Sequence, residues 1–382
     1  MPITFTPAAI QRISQSTYDA VYNRMNPGKV DRRMMPGLAL MSDTKESVPT
    51  NANKVHYKYK IMSGIQAQGW ERKDHLEFSE QDVFLDVVYE LSNVHHGYEL
   101  VHDDFEAACG GTIIPNQWPR GKDIVKMDSK GDLYRLVNAV KEEQESFMDA
   151  RNVNLDKMLW QSNSTDPKLP SGFDAYWPRG TPTANQVSDA GGTRGYYATG
   201  SIGGRLRSQF PDVLQHYIWL NATATASGSL RVALNTAKYE AELRSRGRTR
   251  GGIKKIVCGR NAALKWVQFM QLNGLVFWAD ANKSTQVDGG LPTSNLHFEG
   301  IPMEINPTFA LLDQIESQTY KWDDCFFLID NDAFCWGYAA GKDAVFSAAP
   351  DESDQRITRF SIDDKFLLLP KVPNAISIVH VA

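Results

Sequence analysis

The stretch SKGDLYRLVNAVKEEQESFMDARNVNLDKMLWQ, residues 129–161, contains no proline and carries apolar residues at helical spacing. That apolar face consists of Leu133, Val137, Val140, Phe147, Leu155, Met158 and Leu159. The polar residues Gln144 and Arg151 interrupt it. The pattern predicts one helix about 50 Å long, against about 8 to 20 residues for most globular helices. A break near Asn152-Val153-Asn154 is the alternative.

The residues before this helix carry few signs of regular structure. One helical pattern begins at Thr6-Pro7, and residues 28–54 then show no sustained period. Unstructured stretches of more than about 15 residues are uncommon inside compact domains. Two interpretations of residues 1–50 stay open, namely a disordered leader and an N-terminal arm that becomes ordered by lying on a neighbouring subunit.

Residues 51–80 predict an extended hairpin loop. Apolar and aromatic residues alternate with polar ones from residue 55 to residue 61, as a half-buried strand requires. A turn-rich segment follows, and the chain returns through Trp70 into a second β-rich run at 82–91. An isolated hairpin is at best marginally stable in water and needs a partner. We therefore predict subunit contacts at Val55, Tyr57, Tyr59, Ile61, Gln66 and Trp70.

The rest of the chain predicts an α+β fold. Residues 162–205 are rich in glycine and proline and indicate a loop-dominated connection. A helix from residue 229 is expected to stop at Gly247, and Asn261 is expected to cap a helix that ends near Leu272. Short strands are predicted at 253–257, 275–278, 303–305, 325–329, 334–338, 356–362 and 375–381.

Composition and motifs argue against catalysis. The 382 residues carry 41 basic and 45 acidic side chains, a formal charge of −4, which does not suit a dedicated nucleic-acid binder. Neither a CxxC pair, a phosphate loop nor a secretory signal is present, so we expect a soluble, cytoplasmic chain with free thiols. His95 and His96 are adjacent and would point to opposite faces of a strand, which disfavours a shared metal. We predict no catalytic, metal or cofactor-binding residue, and no cofactor.

A basic run is the strongest charge feature of the sequence. It contains Arg244, Arg246, Arg248 and Arg250. Such a run is usually a solvated loop. The alternatives are a contact with acidic residues of another subunit and a contact with phosphates of packaged DNA.

Several local patterns, taken in order, carry a resemblance to a known family. They are Gly191-Gly192 leading to Gly203-Gly204, Tyr217–Asn221, Ile256–Asn261 before a helix with Trp266, Phe298–Met303, and the tail Phe366–Ile376. The chain resembles the major capsid (coat) protein of tailed double-stranded-DNA bacteriophages, with the Hong Kong 97-type (HK97-like) fold. The resemblance spans nearly the whole chain, although each motif alone is weakly specific.

The resemblance implies an architecture and a function. The N-terminal arm would be 1–50 and the hairpin loop 51–80. A peripheral domain would comprise 81–228 and 351–364 with the spine helix 129–161, and an axial domain 229–350 and 365–382. Hexamers and pentamers would build an icosahedral capsid around double-stranded DNA, assembled in the host cytoplasm. Implied partners are other copies of the chain, a scaffolding protein, a portal, a decoration protein and DNA on the inner face, with no membrane.

Two other functions are compatible with the same sequence. An encapsulin-like shell of a cellular compartment would share the fold. An α/β enzyme that uses residues 253–290 would instead be an ordinary monomer or dimer. The absence of cofactor motifs in the sequence makes the enzyme the less favoured alternative.

Overall fold

The computed structural model describes residues 3–5, 35–49, 53–61, 84–101, 125–127, 130–162, 166–224, 229–245, 252–272, 296–316, 318–348 and 357–382. In these ranges the helices are α1 (Pro36–Asp43), α2 (Lys130–Trp160), α3 (Phe173–Tyr176), α4 (Pro211–Leu214), α5 (Ser229–Ser245), α6 (Arg260–Leu272) and α7 (Thr308–Ile315). The first ten strands are β1 (Ile3–Phe5), β2 (Lys45–Val48), β3 (Lys54–Lys60), β4 (Phe84–Glu90), β5 (Ser92–Val101), β6 (Val125–Met127), β7 (Ala184–Asp189), β8 (Gly192–Tyr197), β9 (Ser201–Ile202) and β10 (Arg205–Leu206). The others are β11 (His216–Ala222), β12 (Lys255–Cys258), β13 (His297–Phe298), β14 (Ile301–Ile305), β15 (Cys325–Ile329), β16 (Phe334–Ala339), β17 (Val345–Ala348), β18 (Ile357–Pro370) and β19 (Ser377–Val381).

The long helix is continuous. Helix α2 has 31 residues, or about 46 Å at about 1.5 Å per residue, and it passes through 152–154 without a break. The two polar interruptions of its predicted apolar face, Gln144 and Arg151, are buried. The predicted spine helix is confirmed, and its polar interruptions face the core.

An eight-stranded mixed sheet forms the central layer, in the order β13-β14-β12-β15-β19-β11-β8-β7. Successive side chains of its strands point to opposite faces of the sheet and pack into two separate cores. On β11, Tyr217 and Trp219 pack with α5 and α6, whereas Ile218 and Leu220 pack on the opposite side with α1, α2 and α7. The sheet therefore separates α5 and α6 from the long helix and α7.

A second sheet lies around the 14-residue strand β18. One edge of β18 pairs with β5, and the other pairs with β17 and β16. Strand β2 extends the sheet by pairing with β16 in parallel. Aromatic side chains of both sheets and of the long helix share one core, in which Trp160 lies 4.8 Å from Phe309 and 5.4 Å from Phe327 between ring centroids.

The expectation that 28–54 lacks structure is wrong for residues 35–49. Helix α1 buries Leu38 and Leu40 in the core against the long helix, and β2 joins the second sheet. An eight-residue helix followed by a four-residue strand is too short to show a period in sequence, and tertiary burial stabilises both. This part of the predicted arm belongs to its own subunit. The helix predicted from Thr6 lies outside the described residues.

The glycine-rich connection at 162–205 is also more structured than predicted. Strands β7 and β8 form a tight hairpin that adds two strands to the large sheet. Gly192 has a φ of +116°, and a Cβ there would lie 2.2 Å from the carbonyl oxygen of Leu220. The glycines that predicted a loop instead permit a close turn against a neighbouring strand.

The later predictions agree better with the structure. The helices predicted after 229 and at Asn261 correspond to α5 and α6, and the strands at 303–305, 325–329, 334–338, 356–362 and 375–381 overlap β14, β15, β16, β18 and β19. The predicted strand 275–278 lies outside the described residues.

The two-domain division stays a prediction, and strands from both sides of its predicted boundaries pair with one another. Strands β7, β8 and β11, assigned to the peripheral domain, pair in the same sheet as β12, β15 and β19. Strands β16 and β17, assigned to the axial domain, pair with β18 in the second sheet. Pairing between strands that are distant along the chain leaves no local pattern in the sequence, so the sequence could not predict it.

Candidate functional site: surfaces for subunit contact

The predicted hairpin has a two-stranded stem whose return strand lies farther along the chain than expected. Strand β3 pairs with β4 in antiparallel register from Lys54 opposite Glu90 to Lys60 opposite Phe84. The run at 82–91 is therefore the partner of the first strand. We call β3 and β4 the stem. Residues 62–83, including the predicted contacts Gln66 and Trp70, lie outside the described residues.

The predicted contact face of the stem is largely turned into its own subunit. Val55 and Tyr59 are 4% and 2% exposed and pack with the β18 residues Leu367 and Leu369. Predicting subunit contacts at these two positions was wrong, because alternation shows which face is buried but not by which chain. Tyr57 and Ile61 are half-buried, and their role as contacts stays a prediction.

A polar anchor fixes the stem to the second sheet. The Tyr59 hydroxyl donates to the carbonyl oxygen of Pro370 at 2.5 Å and lies 2.6 Å from the Tyr89 hydroxyl. Since its proton is used on Pro370, Tyr59 accepts from Tyr89. Burial, and then the neighbouring phenol, raises the pKa of Tyr59 well above the ordinary tyrosine value, so both groups stay neutral.

The opposite face of the stem points to solvent. It carries Lys54, His56, Lys58 and Lys60 on β3 and Phe84, Asp86, Val88 and Glu90 on β4. Phe84 is 59% exposed beside Lys60, its partner across the strands. Exposed ion pairs of this kind contribute about 0 to 1 kcal/mol, and Lys54–Glu90 at 3.6 Å is one of them. This face mixes basic, acidic and apolar side chains, and sequence alternation alone could have identified it.

The long helix is fastened to β18 by a buried ion pair that the sequence did not reveal. The Arg151 guanidinium donates to both carboxylate oxygens of Asp364, at 2.9 and 2.7 Å, and both side chains are buried. Asp364 also accepts from the backbone N–H of Ala344 at 2.8 Å. Burial, and then the charge of Arg151, lowers the pKa of nearby His96, so this imidazole is neutral near pH 7.

The basic run begins inside the subunit. The Arg244 guanidinium stacks 3.4 Å from the ring centroid of Tyr196 and donates to the carbonyl oxygen of Pro211 at 2.9 Å. Arg244 is therefore a packing residue of its own subunit rather than part of a free loop. Arg246, Arg248 and Arg250 lie outside the described residues, and their predicted contact stays a prediction.

The described side chains that could bind a metal or act as a nucleophile do not cluster in one place. His95 contacts Asp363 at 2.6 Å on the exposed face of β5, while His96 is buried on the other face. No cluster of three metal-ligating side chains occurs among the described residues. Cys258 is buried, and burial raises the pKa of its thiol well above the ordinary value, which disfavours a nucleophile. Within the described part of the chain, no helix is long and apolar enough to span a membrane.

Comparison with known structures identifies the fold. A chain of the structure described as "Cyanophage A-1(L) capsid asymmetric unit" matches with a TM-score of 0.56 and 14% sequence identity, over 91% of this chain and 92% of that chain. A chain of a second structure, described as "Capsid of native GTA particle computed with C5 symmetry", matches with a TM-score of 0.46, at 14% identity over 90% of each chain. No family model and no curated protein matches the sequence. At such identity the cyanophage match shows the fold, and the predicted α+β, Hong Kong 97-type fold is confirmed.

Proposed function

We propose that this chain is a structural shell protein, the major capsid protein of a tailed bacteriophage, and not an enzyme. The observation that carries the proposal is the match of fold over nine-tenths of the chain to a chain of a cyanophage capsid asymmetric unit. The outward stem face supports it, because exposed Phe84 and Val88 lie there among charged side chains of both signs, as is typical of contact surfaces.

The proposed assembly consists of hexamers and pentamers that tile an icosahedral shell around double-stranded DNA. The stem would project its outer face toward the neighbouring subunit, and the arm, now limited to residues before 35, would add a second contact. A scaffolding protein and a portal are expected during assembly in the host cytoplasm, and a decoration protein is a further expected partner. Packaged DNA would lie on the inner face without sequence specificity. A formal charge of −4 gives no strong general attraction to phosphate, so any contact with DNA would be local.

Expression of the full chain tests the proposal. Size-exclusion chromatography and negative-stain electron microscopy should show rings, tubes or closed particles, with material far larger than the 42.8 kDa subunit. A chain that stays monomeric or dimeric across salt concentrations, both alone and co-expressed with a scaffolding protein, would contradict it. Cryo-electron microscopy of the particles would then count the subunits in each ring.

A further inference from the structure

The two adjacent histidines of strand β5 lie in different surroundings. The His95 side chain is 66% exposed and contacts Asp363 at 2.6 Å on the outer face of the second sheet. The His96 side chain is 9% exposed and lies on the opposite face, which packs against the long helix. Strand alternation explains the difference, since neighbouring side chains of a strand point to opposite faces. One strand therefore carries a solvated imidazole and a buried one, side by side.

The buried imidazole makes no hydrogen bond that would hold a charge. Both ring nitrogens of His96 are closed off from solvent, and neither has a hydrogen-bond partner among the described residues. The Asp364 carboxylate lies 3.8 Å from Nδ1, which is beyond hydrogen-bond distance. A buried charge without a hydrogen bond costs much more than a buried neutral ring. His96 is thus packed as an uncharged group.

The neighbouring carboxylate is already engaged by another cation. Asp364 accepts from the Arg151 guanidinium at both oxygens and from the backbone N–H of Ala344. His96, Arg151 and Asp364 are electrically balanced only while the imidazole is neutral, with one positive and one negative charge. This cluster joins three elements, because its members lie on β5, α2 and β18.

The charged groups that face His96 come from three elements. Burial lowers the pKa of His96 most, and the charge of Arg151 on α2 lowers it further. Asp364 on β18 raises the pKa, His95 on β5 itself lowers it, and Asp363 on β18 raises it. Asp363 is paired with His95 on the outer face, so it is not placed to bind a proton-bearing ring on the inner face.

A proton on His96 would leave the cluster with two cations and one anion. A buried charge that lacks its own partner is strongly unfavourable. The imidazolium would find acceptors for its N–H groups either by taking Asp364 oxygens from Arg151 or by reaching water. Each of these routes separates α2 from β18 at the point where the ion pair joins them.

We infer that His96 makes the contact between the long helix and the second sheet sensitive to protons: protonation of its imidazole weakens the Arg151–Asp364 pair and loosens the middle of α2 from β18. The device lies within a single subunit and does not depend on the proposed shell function. In an assembled shell it would act in every copy.

The direction of the effect follows from proton linkage. In a locally opened chain the imidazole meets water and its ordinary pKa of 6.5 applies, so the open form binds more protons than the closed form at mildly acidic pH. The contact is at full strength above pH 6.5 and weakens as the pH falls below it. Asp156, also on α2, acts in the opposite sense, but it is present in every variant and cancels in their comparison.

Amide hydrogen exchange of the full chain between pH 5.0 and 7.5 tests the device, with rates corrected for the intrinsic effect of pH on exchange. In wild type, peptides from the middle of α2 and from 360–366 of β18 should open more often as the pH falls, by up to about tenfold for each pH unit. His96→Gln should remove most of this dependence. The matched control His95→Gln, which changes the neighbouring imidazole on the outer face, should keep it.

A second variant, His96→Leu, replaces the ring by an apolar side chain and should also give exchange that does not follow pH. The neutral ring makes no hydrogen bond with the described residues, so both His96 variants should fold. Failure of both to fold would overturn the proposal, because it would reveal a role other than binding a proton. Exchange that follows pH equally in wild type and in a folded His96 variant would also overturn it, as would a wild type without pH dependence. Loss of the dependence in His95→Gln would assign it to the outer pair instead. None of these measurements requires particles, so a failure here leaves the shell function standing.

Discussion

Asp156 is a carboxylate held entirely away from water in the long helix. Burial raises its pKa from 3.8 to about 6, although polar groups of Thr308, Asn306, Trp160 and the Leu38 backbone act in the opposite direction. The site joins helix α1, the long helix and the start of α7. A Cβ on Gly37 would lie 1.9 Å from an Asp156 carboxylate oxygen, so only glycine fits there.

Replacing Asp156 by asparagine should remove a pH dependence of stability. Because the folded pKa lies above the unfolded value, the folded chain binds more protons between about pH 4 and 6, and stability falls as pH rises through 6. The difference between a pKa of 3.8 and one of about 6 corresponds to about 3 kcal/mol of unfolding free energy. Urea unfolding from pH 4.5 to 7.5 should show this fall in wild type and in the exposed control Asp149→Asn, and a flatter profile in Asp156→Asn. Parallel profiles for all three would refute the assignment.

The Arg151–Asp364 pair is expected to be costly to break. Arg151→Met leaves a buried carboxylate without its cation and should lower the free energy of unfolding by about 3 to 5 kcal/mol. Adding Asp364→Leu should recover part of that loss, because it removes the unpaired charge. Lys141→Met, which breaks the partly exposed pair with Glu145 at 3.9 Å, is the control and should cost clearly less, about 1 kcal/mol. The free energies of unfolding are measured by chemical denaturation. Equal decreases in Arg151→Met and Lys141→Met would argue against a stabilising role of the buried Arg151–Asp364 pair.

At the scale of elements, the stem depends on its tyrosine anchor. Tyr59→Phe leaves the Pro370 carbonyl without its donor and Tyr89 without its acceptor, and should cost about 1 to 3 kcal/mol. Tyr57→Phe, at a half-buried position on the same strand, should cost clearly less. Thermal unfolding of the two variants gives the comparison, and a Tyr57→Phe loss as large as that of Tyr59→Phe would disprove the anchor.

The segment that joins the two stem strands should matter for assembly and not for folding. Lys60 lies opposite Phe84, so residues 61–83 can be replaced by Asn-Gly, a two-residue turn that suits antiparallel strands. The shortened chain should unfold at nearly the wild-type temperature and fail to form closed particles in electron micrographs. Wild-type yields of closed particles would show that the segment is dispensable.

At the scale of the whole molecule, the last strand is a central one. Strand β19 lies between β15 and β11 in the eight-stranded sheet, and all five of its residues are buried. Deleting residues 377–382 would expose both neighbours and open the core on each side, so the chain should not fold. Deleting only the exposed Ala382 should leave a folded subunit. Circular dichroism and solubility distinguish the two, and a cooperative unfolding transition in the longer deletion would contradict this role.

The local spacing of apolar residues determined the helices and strands of this protein wherever these are long or strongly periodic. The helix at 130–160, the alternation of β3 and the strands β15 and β16 follow from residue spacing alone, because the helix and strand periods are properties of the backbone. The buried Arg151 and Gln144 only weakened the helical pattern, since the other apolar positions carried it.

Only the tertiary structure decided what each face touches. Spacing showed that Val55 and Tyr59 share a face, but burial by β18 of the same chain made that face internal and left Phe84 and the lysines outside. The same holds for α1, for the pairing of Arg151 with a residue more than 200 positions away, and for the order of the eight-stranded sheet. These depend on contacts between residues distant in sequence, whose free energy no local period records.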